Sequence, residues 1–217
     1  YLYESPLKVI SGDFHWVHRT EKEAFLIQGD CTGHGLAGAL LSVLVIDVAK
    51  TYILNNQENL DVVLATKEII RGLKNKVTQE KAEILESIGV DFCVLKINLD
   101  SKEIHYANFN SNIAVESDGA YELLSKSKGF FRMLEYDQEI PSGIIQAKGR
   151  KIILFSDGLV DIMGGENNKR LKWNGLKEWL ETPLFFEHGP KHLSDKIKSY
   201  CYQQEQIDDI TLLGLQC

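Results

Sequence analysis

An apolar run leads directly into a glycine-rich turn at residues 24–35, which read AFLIQGDCTGHG. The apolar residues predict a strand, and the glycines let the backbone turn sharply and approach a ligand closely. Asp30 stands where this strand ends, and Cys31 follows it. A strand that delivers a carboxylate into such a turn indicates a cation site, although a plain glycine turn that caps the next helix remains the alternative for this stretch alone.

Three further aspartates stand beside apolar runs, in Ser11-Gly12-Asp13, Phe155-Ser156-Asp157-Gly158 and Asp208-Asp209-Ile210-Thr211. Each run predicts a strand, so each aspartate is expected at a strand end or in a tight turn. If the strands meet in one sheet, the four carboxylates converge. Carboxylates that repel one another and lose hydration need cations between them. Hard oxygen ligands favour Mg²⁺ or Mn²⁺.

The order of periodic segments favours an α+β fold, with antiparallel sheet and helices packed outside it. It does not suit a regular βαβ alternation. Strands are predicted at 9–10, 14–17, 24–28, 92–97, 103–109, 113–116, 121–124, 151–155 and 210–215. Helices are predicted at 36–53, 60–77, 82–88, 173–180 and 190–203.

Bulk composition is that of a soluble globular protein, and 217 residues fit one domain spanning 1–217. The net charge of −7 argues against nonspecific nucleic-acid binding, which needs a basic surface. The four cysteines form no C-x-x-C pair and no secretory signal is visible, which favours the cytoplasm.

The longest apolar stretch, from Leu36 to Ala49, is interrupted by Ser42 and Asp47 and is expected to be too short to span a bilayer. No membrane contact by this domain is predicted. Because the chain begins at Tyr1 without an initiator Met, we expect a domain excised from a longer protein.

Several other catalytic motifs are missing from the sequence. Cys31 is followed six residues later by Ala37, so the C-x₅-R pattern of cysteine-dependent phosphatases fails, and Cys31 is expected to be a loop residue that is no nucleophile. The glycine-rich turn has no P-loop lysine, and the chain has no G-x-S-x-G or H-E-x-x-H. His34 flanks the turn and is either a proton or hydrogen-bond donor near substrate or an ordinary loop residue.

Taken together, the four aspartate motifs resemble those of the SpoIIE-like branch of the metal-dependent serine/threonine phosphatases, the protein phosphatase 2C superfamily. They follow the family's order and spacing, and Ala37-Gly38-Ala39 continues the match. The resemblance implies a sandwich of two antiparallel sheets flanked by helices, in α-β-β-α layers. It also implies two Mn²⁺ or Mg²⁺ ions at one edge of the sandwich.

The resemblance also implies roles for individual residues. Asp30 would bridge the two ions together with the carbonyl of Cys31, and Asp157 and Asp208 would ligate one of them. Asp13 would hold metal-bound water or a third ion. The catalytic set implied in this way is Asp13, Asp30 and Asp157, and the metal set adds Cys31 and Asp208.

The chain departs from the family pattern in several places. Asn108-Phe109-Asn110 stands where relatives often have Asn-Ala-Gly, which makes that loop bulkier. No residue clearly matches the phosphate-binding arginine of eukaryotic members, and Arg19 is too loosely placed to fill that role. Asp209 occupies a position that is often Asn in eukaryotic relatives, so a ligand role for it is not assigned.

The function implied is hydrolysis of phosphoserine or phosphothreonine by a metal-activated water, without a covalent intermediate. The expected substrate is a small phosphorylated regulator of the anti-anti-sigma type, and the expected regulator is an N-terminal sensor region in cis. Homodimerisation is left open. Two alternatives remain: a catalytically silent, phosphatase-like domain that binds a partner, and a two-metal phosphodiesterase. The acidic balance disfavours the second.

Overall fold

The structure is a computed structural model, and it describes residues 1–33, 35–78, 89–126, 139–182, 189–202 and 204–217. The helix predicted at 82–88 and the side chain of His34 lie outside the described residues.

Two five-stranded antiparallel sheets form the centre of the described structure. Sheet A contains, in spatial order, β1 (Leu2–Ser5), β12 (Ile210–Gln216), β9 (Lys151–Phe155), β6 (Asn112–Ser117) and β7 (Ala120–Leu123). Sheet B contains β2 (Phe14–Arg19), β3 (Glu23–Cys31), β4 (Val90–Asn98), β5 (Glu103–Phe109) and β8 (Ser142–Gln146). A separate short hairpin joins β10 (Met163–Gly164) to β11 (Lys169–Arg170).

Helices cover the outer face of each sheet. On sheet B lie α1 (Leu36–Asn56) and α2 (Val62–Thr78), which contact β2, β3, β4 and β5. On the side of sheet A lie α3 (Asp157–Asp161), α4 (Lys172–Leu180) and α5 (Gly189–Cys201). The layers are therefore α-β-β-α, and the predicted α+β sandwich is confirmed.

Strand alternation decides which side chains face the space between the sheets. On β3, Phe25 and Ile27 pack under the helices, whereas Leu26 packs against sheet A. Gln28 and Asp30 share the parity of Leu26, so they continue the row that faces the opposite sheet. The apolar row thus ends in a carboxylate at one end of the sandwich.

Helix α1 is apolar on more than one face. Val45, Ala49 and Ile53 are fully buried against sheet B, while Leu36 and Leu40 are exposed. Among the described residues, one helix, at Leu36–Asn59, has the length and composition needed to cross a membrane. The expectation that the apolar stretch beginning at Leu36 is too short to span a bilayer is wrong, because the helix continues past Ala49 to Asn56. The apolar residues on the buried face of α1 form part of the hydrophobic core.

Two strand predictions differ from the structure, and two edge strands had no prediction. The strand predicted at 24–28 continues to Cys31, because it pairs with β4 as far as Val90. No strand forms at residues 9–10, where Val9 is 96% exposed. Edge strands β1 and β8 were not predicted, since neither carries the continuous apolar run of a central strand.

Candidate active site

Sheet B places two of the predicted carboxylates at one end of neighbouring strands. Asp13 immediately precedes β2, and Phe14 pairs with Gly29 in β3, one residue before Asp30. The backbone N–H of Cys31 donates to the carbonyl of Gly12 at 3.3 Å, which holds the two segments together beyond the last strand pair.

Sheet A contributes two more carboxylates. Asp157 follows β9 as the first residue of α3, and Asp208 lies two residues before β12, which pairs with β9. Ser156 ties the two segments together: its N–H donates to the Thr211 carbonyl at 3.0 Å, and its hydroxyl accepts from the Thr211 N–H at 2.9 Å.

The four predicted aspartates act on one another electrostatically. The pKa of Asp30 is raised well above its ordinary value, first by burial and then by the negative charges of Asp13, Asp157 and Asp208. Carboxylates from both sheets therefore converge on Asp30. Such a cluster is stable as anions only when cations compensate its charge.

The carboxylate oxygens of Asp13 also indicate that a compensating cation is needed. Its side chain is 8% exposed, and neither carboxylate oxygen has a hydrogen-bond partner among the described residues. Burial raises its pKa, and the nearby hydroxyls of Ser156 and Thr211 and the carboxyl of Asp30 oppose the shift. A buried carboxylate without partners costs free energy that a bound cation would offset.

The donor set suits a hard divalent cation. A Cβ atom on Gly12 would lie 2.8 Å from the carbonyl oxygen of Cys31 and 2.9 Å from that of Gly33, so both carbonyls gather beside Asp13. Carboxylates and carbonyls are the ligands that Mg²⁺ and Mn²⁺ prefer. Among the described residues, no three Asp, Glu, His or Cys side chains form a ready-made metal centre, so the fit to such ions rests on the chemistry of the donors.

Cys31 is the last residue of β3 and is buried, which corrects its expected position in a loop. Burial raises the pKa of its thiol well above the ordinary value, and the charges of Asp30 and Asp13 add to the effect. The thiol therefore stays protonated at neutral pH and is no nucleophile. Only its backbone carbonyl is available to the site.

Asp91 was missed by the sequence analysis. It lies directly opposite Asp30 in the β3–β4 pair, and its Oδ1 accepts from the Asn110 side-chain amide at 2.8 Å. Burial raises its pKa, and the hydrogen bond from Asn110 opposes the shift. The strand register that joins it to Asp30 has no signature in the sequence.

Asp209 is 3% exposed and bonds to the backbone. Its Oδ1 accepts from the N–H of Leu7 and its Oδ2 from the N–H of Gly12, both at 2.7 Å. Both oxygens are thus engaged in holding the segment that leads into Asp13. This makes Asp209 a positioning residue, a role that the sequence analysis did not assign.

A cavity of about 200 Å³ opens beside Asp30 and Asp157, with Asp91, Asn110 and Lys126 also in its wall. A larger, more open cavity of about 530 Å³ lies around the β2–β3 turn, at the other end of those strands from Asp13 and Asp30. Arg19 ends β2 at that far end, so it lies outside the aspartate cluster.

Comparison with known proteins identifies the family. The family model described as Stage II sporulation protein E (SpoIIE) matches residues 20–217. The chain belongs to the SpoIIE family. Members of the SpoIIE family are PP2C-type serine/threonine phosphatases, so the chain is a phosphatase domain of this type. No curated protein sequence matches the chain.

Solved structures share the fold of this SpoIIE-family chain. The SiaA-PP2C domain of Pseudomonas aeruginosa is similar with a TM-score of 0.82 at 18% identity, over 100% of this chain and 84% of that one. The PP2C phosphatase domain of SpoIIE from Bacillus subtilis, solved with a fragment of its regulatory domain, gives 0.74 at 14% identity, over 100% and 62%. RsbX in complex with magnesium gives 0.66 at 20% identity, over 98% and 92%.

Proposed function

We propose that this domain hydrolyses phosphoserine or phosphothreonine on a small regulatory protein, with two Mn²⁺ or Mg²⁺ ions bound at the aspartate cluster. The observation that carries the proposal is the convergence of Asp13, Asp157 and Asp208 on the buried carboxyl of Asp30. When bound, the ions would supply Lewis acidity and activate a water for in-line attack on phosphorus, without a covalent phosphoenzyme.

The chain's own residues hold and orient the charges in this proposal. Asp30 and the Cys31 carbonyl would hold both ions, and Asp157 and Asp208 would hold one of them from the side of sheet A. Asp13 would hold water or a third ion, which would engage the two carboxylate oxygens that have no hydrogen-bond partner in the described part of the chain. The magnesium complex of the similar RsbX supports the choice of a hard divalent cation.

The substrate class and regulation are proposed from the setting of similar proteins. One similar structure contains the RsbU and RsbW domains of Rv1364c from Mycobacterium tuberculosis, and another joins the SpoIIE phosphatase domain to part of a regulatory domain. We propose that a phosphorylated regulator of the anti-anti-sigma type is the substrate, and that an N-terminal region in cis controls α1 and α2. Equal Mn²⁺ affinities with and without such a region would contradict this control.

The decisive experiment is hydrolysis of an aryl phosphate over a Mn²⁺ titration, with Asp157→Asn compared with the wild type. We expect metal-dependent turnover that falls by about a thousandfold in the variant, because a ligand to the ions is lost. Asp195→Asn, at an exposed position of α5, removes a carboxylate outside the site and serves as control.

Other outcomes separate the alternatives. Asp157→Asn with wild-type turnover and an unchanged melting temperature would contradict the proposal. Absence of both Mn²⁺ binding and turnover in the wild type would indicate a silent, partner-binding domain. Faster hydrolysis of a bis-aryl phosphate than of the monoester would indicate a phosphodiesterase.

A further inference from the structure

The cavity beside Asp30 has one cationic side chain in its wall. Among the described residues that line it, Lys126 carries the only positive charge, facing a wall that includes Asp30, Asp91 and Asp157. The Lys126 ammonium donates to the side-chain oxygen of Asn112 at 3.0 Å. The positive charge of Lys126 also affects the carboxyl of Asp91. Burial has the largest effect and raises the pKa of Asp91, whereas the hydrogen bond from Asn110 and, after it, the charge of Lys126 lower this pKa.

A buried donor in the same wall lacks a partner. Gln28 is fully buried, and its Oε1 accepts from the Ser111 hydroxyl at 3.2 Å. In this orientation its Nε2 has no hydrogen-bond partner among the described residues. A buried donor left unsatisfied costs free energy, so it indicates a place where a ligand or water oxygen belongs.

These two donors suit one chemical group. A phosphate monoester held by cations at Asp30 and Asp157 would still have oxygens that the cations do not engage, and these oxygens would need donors from the protein. Lysine is a common phosphate-binding residue and acts as a point charge. The described part of the cavity wall contains both Lys126, which is exposed, and Gln28, which is fully buried.

We propose that Lys126 and Gln28 bind the phosphate group of the substrate, Lys126 through its charge and Gln28 through its buried amide. The assignment rests on the proposed phosphatase function and extends it, since it supplies the phosphate-binding cation for which the sequence offered no arginine. It predicts that Lys126, which lies three residues after β7, contributes to substrate affinity more than to turnover.

The test compares Lys126→Met with the wild type, using inorganic phosphate as the probe in saturating Mn²⁺. We expect the dissociation constant of phosphate, its inhibition constant and the KM for an aryl phosphate each to rise about five- to tenfold, since an exposed cation gives a moderate, screened contribution. The kcat and the Mn²⁺ affinity should change less than about twofold. Lys126→Arg should restore most of the phosphate affinity because it keeps the charge.

Lys148→Met is the matched control, because Lys148 is exposed in the turn between β8 and β9, at the opposite end of β9 from Asp157. Equal phosphate affinities in the Lys126→Met and Lys148→Met variants would overturn the proposal. Calorimetry measures phosphate binding directly, so the role of Lys126 can be tested even if the wild type hydrolyses no phosphate ester. Absence of hydrolysis would count against the phosphatase function and not against phosphate binding by Lys126. Gln28→Leu, checked for folding by its melting curve, should weaken phosphate binding independently.

Discussion

Two buried aspartates near the N-terminal segment show how hydrogen bonding separates structural from functional carboxylates. Asp209 and Asp13 are 3% and 8% exposed, so burial alone does not distinguish them. Both oxygens of Asp209 accept backbone N–H groups, whereas neither oxygen of Asp13 has a partner among the described residues. The satisfied carboxylate positions the chain, and the unsatisfied one fits the cation-binding role proposed for it.

Replacing Asp209 with Ala should destabilise the protein by about 2–4 kcal/mol, because the buried N–H groups of Leu7 and Gly12 lose their acceptors. Urea unfolding in chelator measures this loss. The same variant should bind Mn²⁺ more weakly, since the segment that leads into Asp13 is no longer held. Asp195→Ala, on the exposed side of α5, should change neither quantity. Stability equal to that of this control would contradict the positioning role.

At the residue scale, the sequence predicted the aspartates that stand in recognisable motifs. Asp13, Asp30, Asp157 and Asp208 each follow or precede an apolar run, and the structure brings them together. Asp91 could not be predicted, because its place beside Asp30 depends on strand register.

At the scale of elements, the first turn of α1 packs directly on the loops that carry the candidate ligands. A Cβ atom on Gly38 would collide with the carbonyl oxygen of Gly33 and would lie 3.0 Å from the Cα atom of Gly12. Backbone therefore meets backbone here, with no side chain between. A small displacement of α1 must be transmitted to the segments around Asp13 and Asp30.

Gly38→Ala should therefore weaken Mn²⁺ binding by about tenfold or more, because an added methyl group pushes the Gly33 carbonyl away from the site. Calorimetric Mn²⁺ titration measures the effect. Ala37→Ser, at the exposed neighbouring position of the same helical turn, is the control and should bind Mn²⁺ like the wild type. Unchanged affinity in Gly38→Ala would show that α1 and the loops move independently.

Most elements could be predicted from periodicity, and the failures have physical causes. The apolar runs of β9 and β12 are buried central strands, so their patterns were clear. Strand β1 is a four-residue edge strand of alternating, partly exposed residues, which gives little hydrophobic signal. The predicted strand at 9–10 failed because its apolar residues are exposed.

At the scale of the whole molecule, the order of the motifs indicated the layered sandwich, but the pairing of its strands could not be predicted. The strands of sheet A come from both ends of the chain and from its middle, and hydrophobic patterns do not encode such partners. The resemblance to a known family was needed to arrange them.

The clustered carboxylates also give the whole protein an unusual pH dependence without metal. The folded-state pKa values of Asp30 and Asp13 are raised, so above about pH 4 the folded state binds more protons than the unfolded state. Their contribution to stability is therefore greatest below that pH and is lost as the pH rises through the folded-state pKa values. We expect the metal-free melting temperature to fall from pH 5 to pH 8, and Mn²⁺ to restore it.

Asp30→Asn isolates this effect, because it removes the carboxyl on which the other charges act. Its metal-free melting temperature should fall less steeply over the same pH range than that of the wild type. Parallel pH profiles for the two proteins would show that the cluster does not govern the dependence.

The pairing of β1 with β12 has a consequence for how the protein is made. Leu2 pairs with Leu213, and Asp209 holds Leu7 and Gly12, so contacts that shape the candidate site join segments about 200 residues apart. During translation, β1 and the Asp13 segment leave the ribosome long before their partners exist. A nascent chain that stops before Ile210–Gln216 can build much of sheet B but cannot complete the carboxylate cluster, so phosphatase activity should begin only after β12 has emerged.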